Sequence, residues 1–139
     1  MKLKRGISLL VVFAMLFSLL ATSGISVSAA NVTFADPVVE TSVRGWLGLF
    51  DDEPITQSDL ETVTEIYFYN QKVQTLSDLS KLPNLEYLSF YGCTLPTLDG
   101  NTFRPLTQLV GLTLSSCQLT ELPANLLAYN VNLREFYAN

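Results

Sequence analysis

From Val63 onward, apolar side chains return at a fixed interval. The segment Leu85-Glu86-Tyr87-Leu88-Ser89-Phe90-Tyr91-Gly92-Cys93-Thr94-Leu95 holds its apolar anchors at Leu85, Leu88, Phe90 and Leu95, with Cys93 between the last two. Leu109, Leu112, Leu114, Cys117 and Leu119 repeat the spacing. An earlier copy runs through Val63, Ile66, Phe68, Gln71 and Val73, with glutamine in the cysteine slot, and a last copy begins at Leu133 and Phe136. The first anchors stand at 63, 85, 109 and 133, in steps of 22, 24 and 24. The stretches between them keep phase as well. Leu76, Leu98 and Leu122 each lie thirteen residues after a first anchor, and Leu79-Leu82, Phe103-Leu106 and Leu127-Asn130 lie six and three before the next. Asn130 is the one polar departure. A period of this length predicts a solenoid, in which each unit gives one short strand and shares its apolar side with its neighbours.

Strand alternation then sorts the side chains. With Ile66 and Phe68 inward, Glu65, Tyr67 and Tyr69 point outward, and the same register exposes Tyr87, Ser89 and Tyr91, then Gly111, Thr113 and Ser115, then Glu135, Tyr137 and Asn139. Tyrosine suits strands by propensity alone. Burial does not require these outward rings, however, and a rigid apolar ring with a hydrogen-bonding tip is enriched at interfaces. The predicted partner-binding residues are therefore Glu65, Tyr67, Tyr69, Tyr87, Ser89, Tyr91, Thr113, Ser115, Glu135 and Tyr137.

Ahead of the repeats, Asp36-Pro37 reads as a helix start, an acceptor followed by proline in the first turn. Val39, Val43, Trp46 and Leu47 form one apolar stripe, which places Trp46 in the core. The acidic turn Asp51-Asp52-Glu53-Pro54 lacks the alternating ligand spacing of a calcium loop and reads as solvated. Thr56 and Asp59 resemble a capping box with Asp in place of Glu. A helical cap is expected over residues 31–62, followed by repeats over 63–139, three full and a fourth truncated. The truncation predicts a fragment of a longer protein or a shortened product.

These motifs resemble the bacterial secreted leucine-rich-repeat family, most closely the amino-terminal part of internalin-type proteins, over roughly Asp36 to Asn139. The resemblance implies an α/β solenoid, a right-handed coil with short parallel strands on its concave face and a helical N-terminal cap ending in a segment such as Ile55 to Leu60. It specifies fold but no partner.

The first thirty residues have another character. Lys2, Lys4 and Arg5 precede the apolar run Ile7 to Leu20, and Ala21 to Ala30 is small and weakly polar. This is the layout of a secretory signal peptide, with cleavage expected near Ala29 or Ala30. An uncleaved anchor is disfavoured by the Ser, Thr and Gly residues after Leu20. Without that leader, five basic residues face thirteen acidic ones, a balance of −8. Such a surface repels phosphate backbones, so nucleic acid is excluded as a partner. Histidine is absent, which removes the commonest general base and metal ligand. Cys93 and Cys117 fall in equivalent slots of adjacent coils, where parallel side-chain vectors favour two buried thiols over a bridge. No further ligands accompany them, so no metal or cofactor is expected. Asn31-Val32-Thr33 is a glycosylation sequon at what reads as a flexible terminus. No nucleophile has an evident base, and no phosphate loop is present. The pattern points to a non-enzymatic, secreted or surface-displayed module that binds a protein or a glycan, without membrane insertion once the leader is cut. Two alternatives stand beside it: a targeting segment of a larger protein whose catalytic or wall-anchoring region lies downstream, and a self-associating surface protein.

Overall fold

The computed structural model describes residues 30–139. The leader expected at the amino terminus, apart from Ala30, lies outside the described residues. Two helices come first, α1 (Pro37–Leu47) and the single turn α2 (Gln57–Leu60). Four strands follow, β1 (Glu65–Tyr69), β2 (Tyr87–Tyr91), β3 (Gly111–Ser115) and β4 (Glu135–Ala138), with a 3₁₀ turn at Ser77–Lys81. They form one parallel sheet in chain order. Each strand is one coil of a solenoid.

The register is what the repeat requires. Ile66 pairs with Leu88, Leu88 with Leu112, and Leu112 with Phe136. One step along, Phe68, Phe90, Leu114 and Ala138 align, and the Phe68 and Phe90 rings stack with centroids 4.7 Å apart and planes 6° from parallel. Val63, Leu85 and Leu109 are fully buried beneath them. Fully burying a side chain of this size contributes about 1.5–3 kcal/mol, and here one interior collects the contributions of all the coils.

The return segments close in phase because of a period of three. Leu82 N–H donates to Leu79 O and Leu85 N–H to Leu82 O; the same pair of bonds recurs at Leu106 to Phe103 and Leu109 to Leu106, and at Asn130 to Leu127 and Leu133 to Asn130. In such i→i+3 turns, side chains three apart eclipse. Apolar residues at 79, 82 and 85, or at 103, 106 and 109, therefore enter the core together.

Asn130 keeps this place despite its polarity. It is buried, and its amide nitrogen donates to Phe103 O at 2.9 Å and Leu106 O at 2.8 Å in the preceding coil. The exposed Asn84 and Asn132 make similar ties one coil back, to Glu61 O and Thr107 O. The thiols do likewise from the slot after the strand. Cys93 Sγ donates to Phe68 O at 3.4 Å and Cys117 Sγ to Phe90 O at 3.5 Å, and both cysteines are unbridged. Burial pushes the Cys117 thiol above its ordinary value of 9.0.

Each of the first three strands is followed by one residue in the left-handed region: Asn70 (φ 53°), Gly92 (φ 64°) and Ser116 (φ 56°). The N–H of each donates into the next coil, to Tyr91 O, Ser115 O and Asn139 O. At Gly92 a side chain is also sterically barred, because a Cβ there would lie 2.2 Å from Asn70 Oδ1.

Several expectations need correction. Trp46 is exposed, whereas Val39 and Val43 are buried and Leu47 is partly so. The 50–53 turn explains the difference, since Arg44 Nη1 donates to Phe50 O and Glu53 O and draws the chain over its own side of α1. Leu122 and Phe136 are exposed, because no coil of the described residues stacks beyond β4. In the last coil Leu127 is only partly buried against the core, and Leu126 beside it is fully in it. The sequon is tied down, with Asn31 Oδ1 accepting from Ile55 N–H and Val32 N–H donating to Ile55 O. The Thr56–Asp59 capping box is formed in both directions.

The helix is joined to the first coil by two buried carboxylates. Asp36 accepts from Val38 N–H at the start of α1 and from Gln74 and Thr75 N–H in the coil. Asp78 accepts from Ala35 and Asp36 N–H and pairs with Lys81. Burial works to raise the Asp36 carboxyl, but backbone donors from Thr75, Val38, Gln74 and Val39 outweigh it and hold the group below its ordinary 3.8. Stabilisation from a lowered carboxylate is present above the unfolded value and lost as pH falls through the folded one. Replacing Asp36 by Ala removes a helix cap and two charge-assisted bonds, a cost of about 3 kcal/mol in denaturant unfolding at pH 7. The gap between wild type and variant should narrow below about pH 3.8; a gap independent of pH would show that the charge is not what acts.

Candidate functional site

The outward face of the sheet is where the predicted binding residues meet. Parallel pairing sets them in rows: Glu65, Tyr87, Gly111 and Glu135; then Tyr67, Ser89, Thr113 and Tyr137; then Tyr69, Tyr91 and Ser115. Tyr67, Tyr69, Tyr87, Tyr91 and Tyr137 are all exposed, from 40% at Tyr87 to 60% at Tyr69 and Tyr137, so the five rings are open for contact while the alternate side chains fill the core. Glu135 is exposed, and Glu65, Ser89 and Thr113 are half-buried.

Ser115 does not belong with them. It is 8% exposed, since a short side chain in register with Tyr91 cannot rise past its larger neighbours. Gly111, which has no side chain to offer, shapes the face by omission. A Cβ there would lie 2.7 Å from Cδ1 of Tyr87, so the tyrosine ring leans across the glycine into the next coil. A cleft of about 110 Å³ results, bordered by Tyr67, Tyr87, Thr113, Glu135 and Tyr137. The sequence shows a gap at position 111; the lean of Tyr87 from the preceding coil could not be read from it.

The polar groups of the face are few. Tyr67 Oη donates to Glu65 Oε2, and this bond, with burial and the carboxylate's charge, pushes the phenol above its ordinary 10.0. Tyr69 and Tyr91 pack against each other at 6.4 Å between centroids. Glu65 and Glu135 are separated by three strand spacings, roughly 14 Å at about 4.8 Å each, beyond the 5 to 9.5 Å or so over which two carboxylates cleave a glycosidic bond. Among the described residues, no group of three or more potential ligands could hold a metal ion. The arrangement offers rings, hydroxyls and two separated carboxylates.

No protein-family profile and no curated protein matches the sequence. Among solved structures, the chain is similar to an internalin from Listeria monocytogenes at 28% identity and a TM-score of 0.65, over 76% of this chain and 30% of that one. It shares its fold with internalin C2 of the same organism at 21% identity and a TM-score of 0.54, over 80% of this chain and 61% of that one. The chain carries an internalin-like leucine-rich-repeat region. It spans less than two thirds of the length of either internalin. Among the described residues of the internalin-like region, no helix is long and apolar enough to cross a membrane.

If the outward rings serve contact and not folding, stability will be indifferent to them. Tyr69→Ser and Tyr91→Ser, at surface positions, should each shift unfolding free energy by less than about 1 kcal/mol. Leu88→Ala, directly beneath the same face, should cost about 2–5 kcal/mol. Denaturant unfolding of the three variants makes the comparison; equal losses would assign the tyrosines a structural role.

Proposed function

We propose that this is a secreted or surface-displayed, non-catalytic module that binds a protein through the outward face of its sheet. The observation that carries the reading is the set of five exposed tyrosines on three of the four short strands, none of them needed by the core. Wide, stiff rings with a polar tip give contact area at little cost in side-chain entropy, and tyrosine is among the residues that dominate interface energies. The partner-binding set is Glu65, Tyr67, Tyr69, Tyr87, Ser89, Tyr91, Thr113, Glu135 and Tyr137. Similarity to internalins supports a leucine-rich-repeat binding module. The acidic balance disfavours nucleic acid. In the same reading residues 1–30 direct export, residues 31–62 cover the first coil, and the repeats occupy 63–139.

The test is capture. Immobilised protein, exposed to extracellular and surface proteins of cells it could meet, should retain a defined partner. A variant with Tyr67, Tyr69, Tyr87 and Tyr91 changed to Ser should retain it at least about tenfold less well, the loss of a single strong contact being already of that order. Equal capture by the folded variant would remove the face from the function.

A further inference from the structure

We propose that the cleft over Gly111 receives one cationic side chain, a lysine or an arginine, from the bound partner. The inference rests on the reading of this face as a binding surface and names the chemistry at its centre.

Three observations lead to it. The first is shape. Gly111 stands between Tyr87 and Glu135 in its row, and the position its Cβ would take is 2.7 Å from the Tyr87 ring and 3.9 Å from Glu135 Oε2. The Tyr87 ring thus lies over the glycine with the Glu135 carboxylate beside it, and the two border the cleft. The second is size. At about 110 Å³ the cleft holds the volume of only a few waters, at about 30 Å³ each, and falls short of the 300 Å³ or so at which small-molecule sites begin. The tip of one side chain fits.

The third is charge. Tyr67, Tyr87 and Tyr137 border the cleft with Glu135, and no basic residue lines it. Arg134 precedes Glu135, but strand alternation directs it off this face, and no ion pair joins the two. An anion would meet the Glu135 carboxylate with no basic side chain to offset it. An apolar tip would strip water from Glu135 and give nothing back. A cation is attracted by the Glu135 carboxylate, and the surrounding domain, at −8 without its leader, draws cations toward it.

The experiment is a titration of isotope-labelled protein with capped tripeptides, acetyl-Gly-Lys-Gly-amide and its norleucine counterpart, followed by backbone amide resonances. The lysine peptide should shift Tyr87, Gly111 and Glu135 and bind roughly tenfold more tightly than norleucine. Glu135→Gln, which keeps shape and removes charge, should weaken the lysine peptide by a similar factor and leave the rest of the spectrum in place. Gly111→Ala, by pushing the Tyr87 ring aside, should also weaken it. Norleucine matching lysine, no shift with either peptide, or full binding by Glu135→Gln would each overturn the proposal. These failures are distinguishable from failure of the binding face. Loss of partner capture on changing Tyr69 and Tyr91, which lie outside the cleft, would leave the face standing while the cation site fell. Capture unchanged in the four-tyrosine variant would sink the face even if the lysine peptide bound.

Discussion

A single coil of this chain cannot bury its own apolar side. Its strand is four or five residues long, its return path is mostly turn, and a hairpin-sized unit of that kind has no interior. Only when Ile66, Leu88 and Leu112 stand in register do their side chains exclude water from one another. Every other feature depends on that stacking. The i→i+3 turns matter because they deliver Leu79, Leu82, Phe103 and Leu106 to the shared interior, and the left-handed residues at 70, 92 and 116 matter because they turn each strand at the same point.

Polar groups then hold the stack where apolar ones cannot. The coils are joined on their flanks by side chains that reach one coil back to a backbone carbonyl: the Cys93 and Cys117 thiols on one side, Asn130 on the other. Buried carbonyls must find donors, and these do so without adding charge to the interior. At the first coil the same need is met by Asp36 and Asp78, whose carboxylates satisfy five backbone N–H groups in the helix, its lead-in and the coil. With the interior secured this way, the outward positions are released from folding, and five of them are tyrosine.

Most of the architecture was legible because it is periodic. The anchor spacing foretold the parallel register from Leu88 through Leu112 to Phe136, and alternation foretold which tyrosines face out. What escaped was set by contacts with no period. Trp46 lies on the apolar stripe of its helix, yet the 50–53 turn folds over Arg44 instead. Ser115 shares the outward parity but is overshadowed by its neighbours. Asn130 looked like a lapse in the pattern and is a tie between coils. The Asp36 and Asp78 junction joins residues about forty apart in sequence, and the cleft over Gly111 exists only because a ring from one coil leans over the next.

The shared interior is tested most directly by native-state hydrogen exchange on wild type and Leu109→Ala. If the coils stand on one another, removing a fully buried anchor of the third coil will lower the protection of strand amides in β2 and β1, one and two coils distant, by the same 2–5 kcal/mol or so that it costs the chain as a whole. Protection lost only around residue 109, with β1 unchanged, would mean that the coils fold as independent units and would contradict the account.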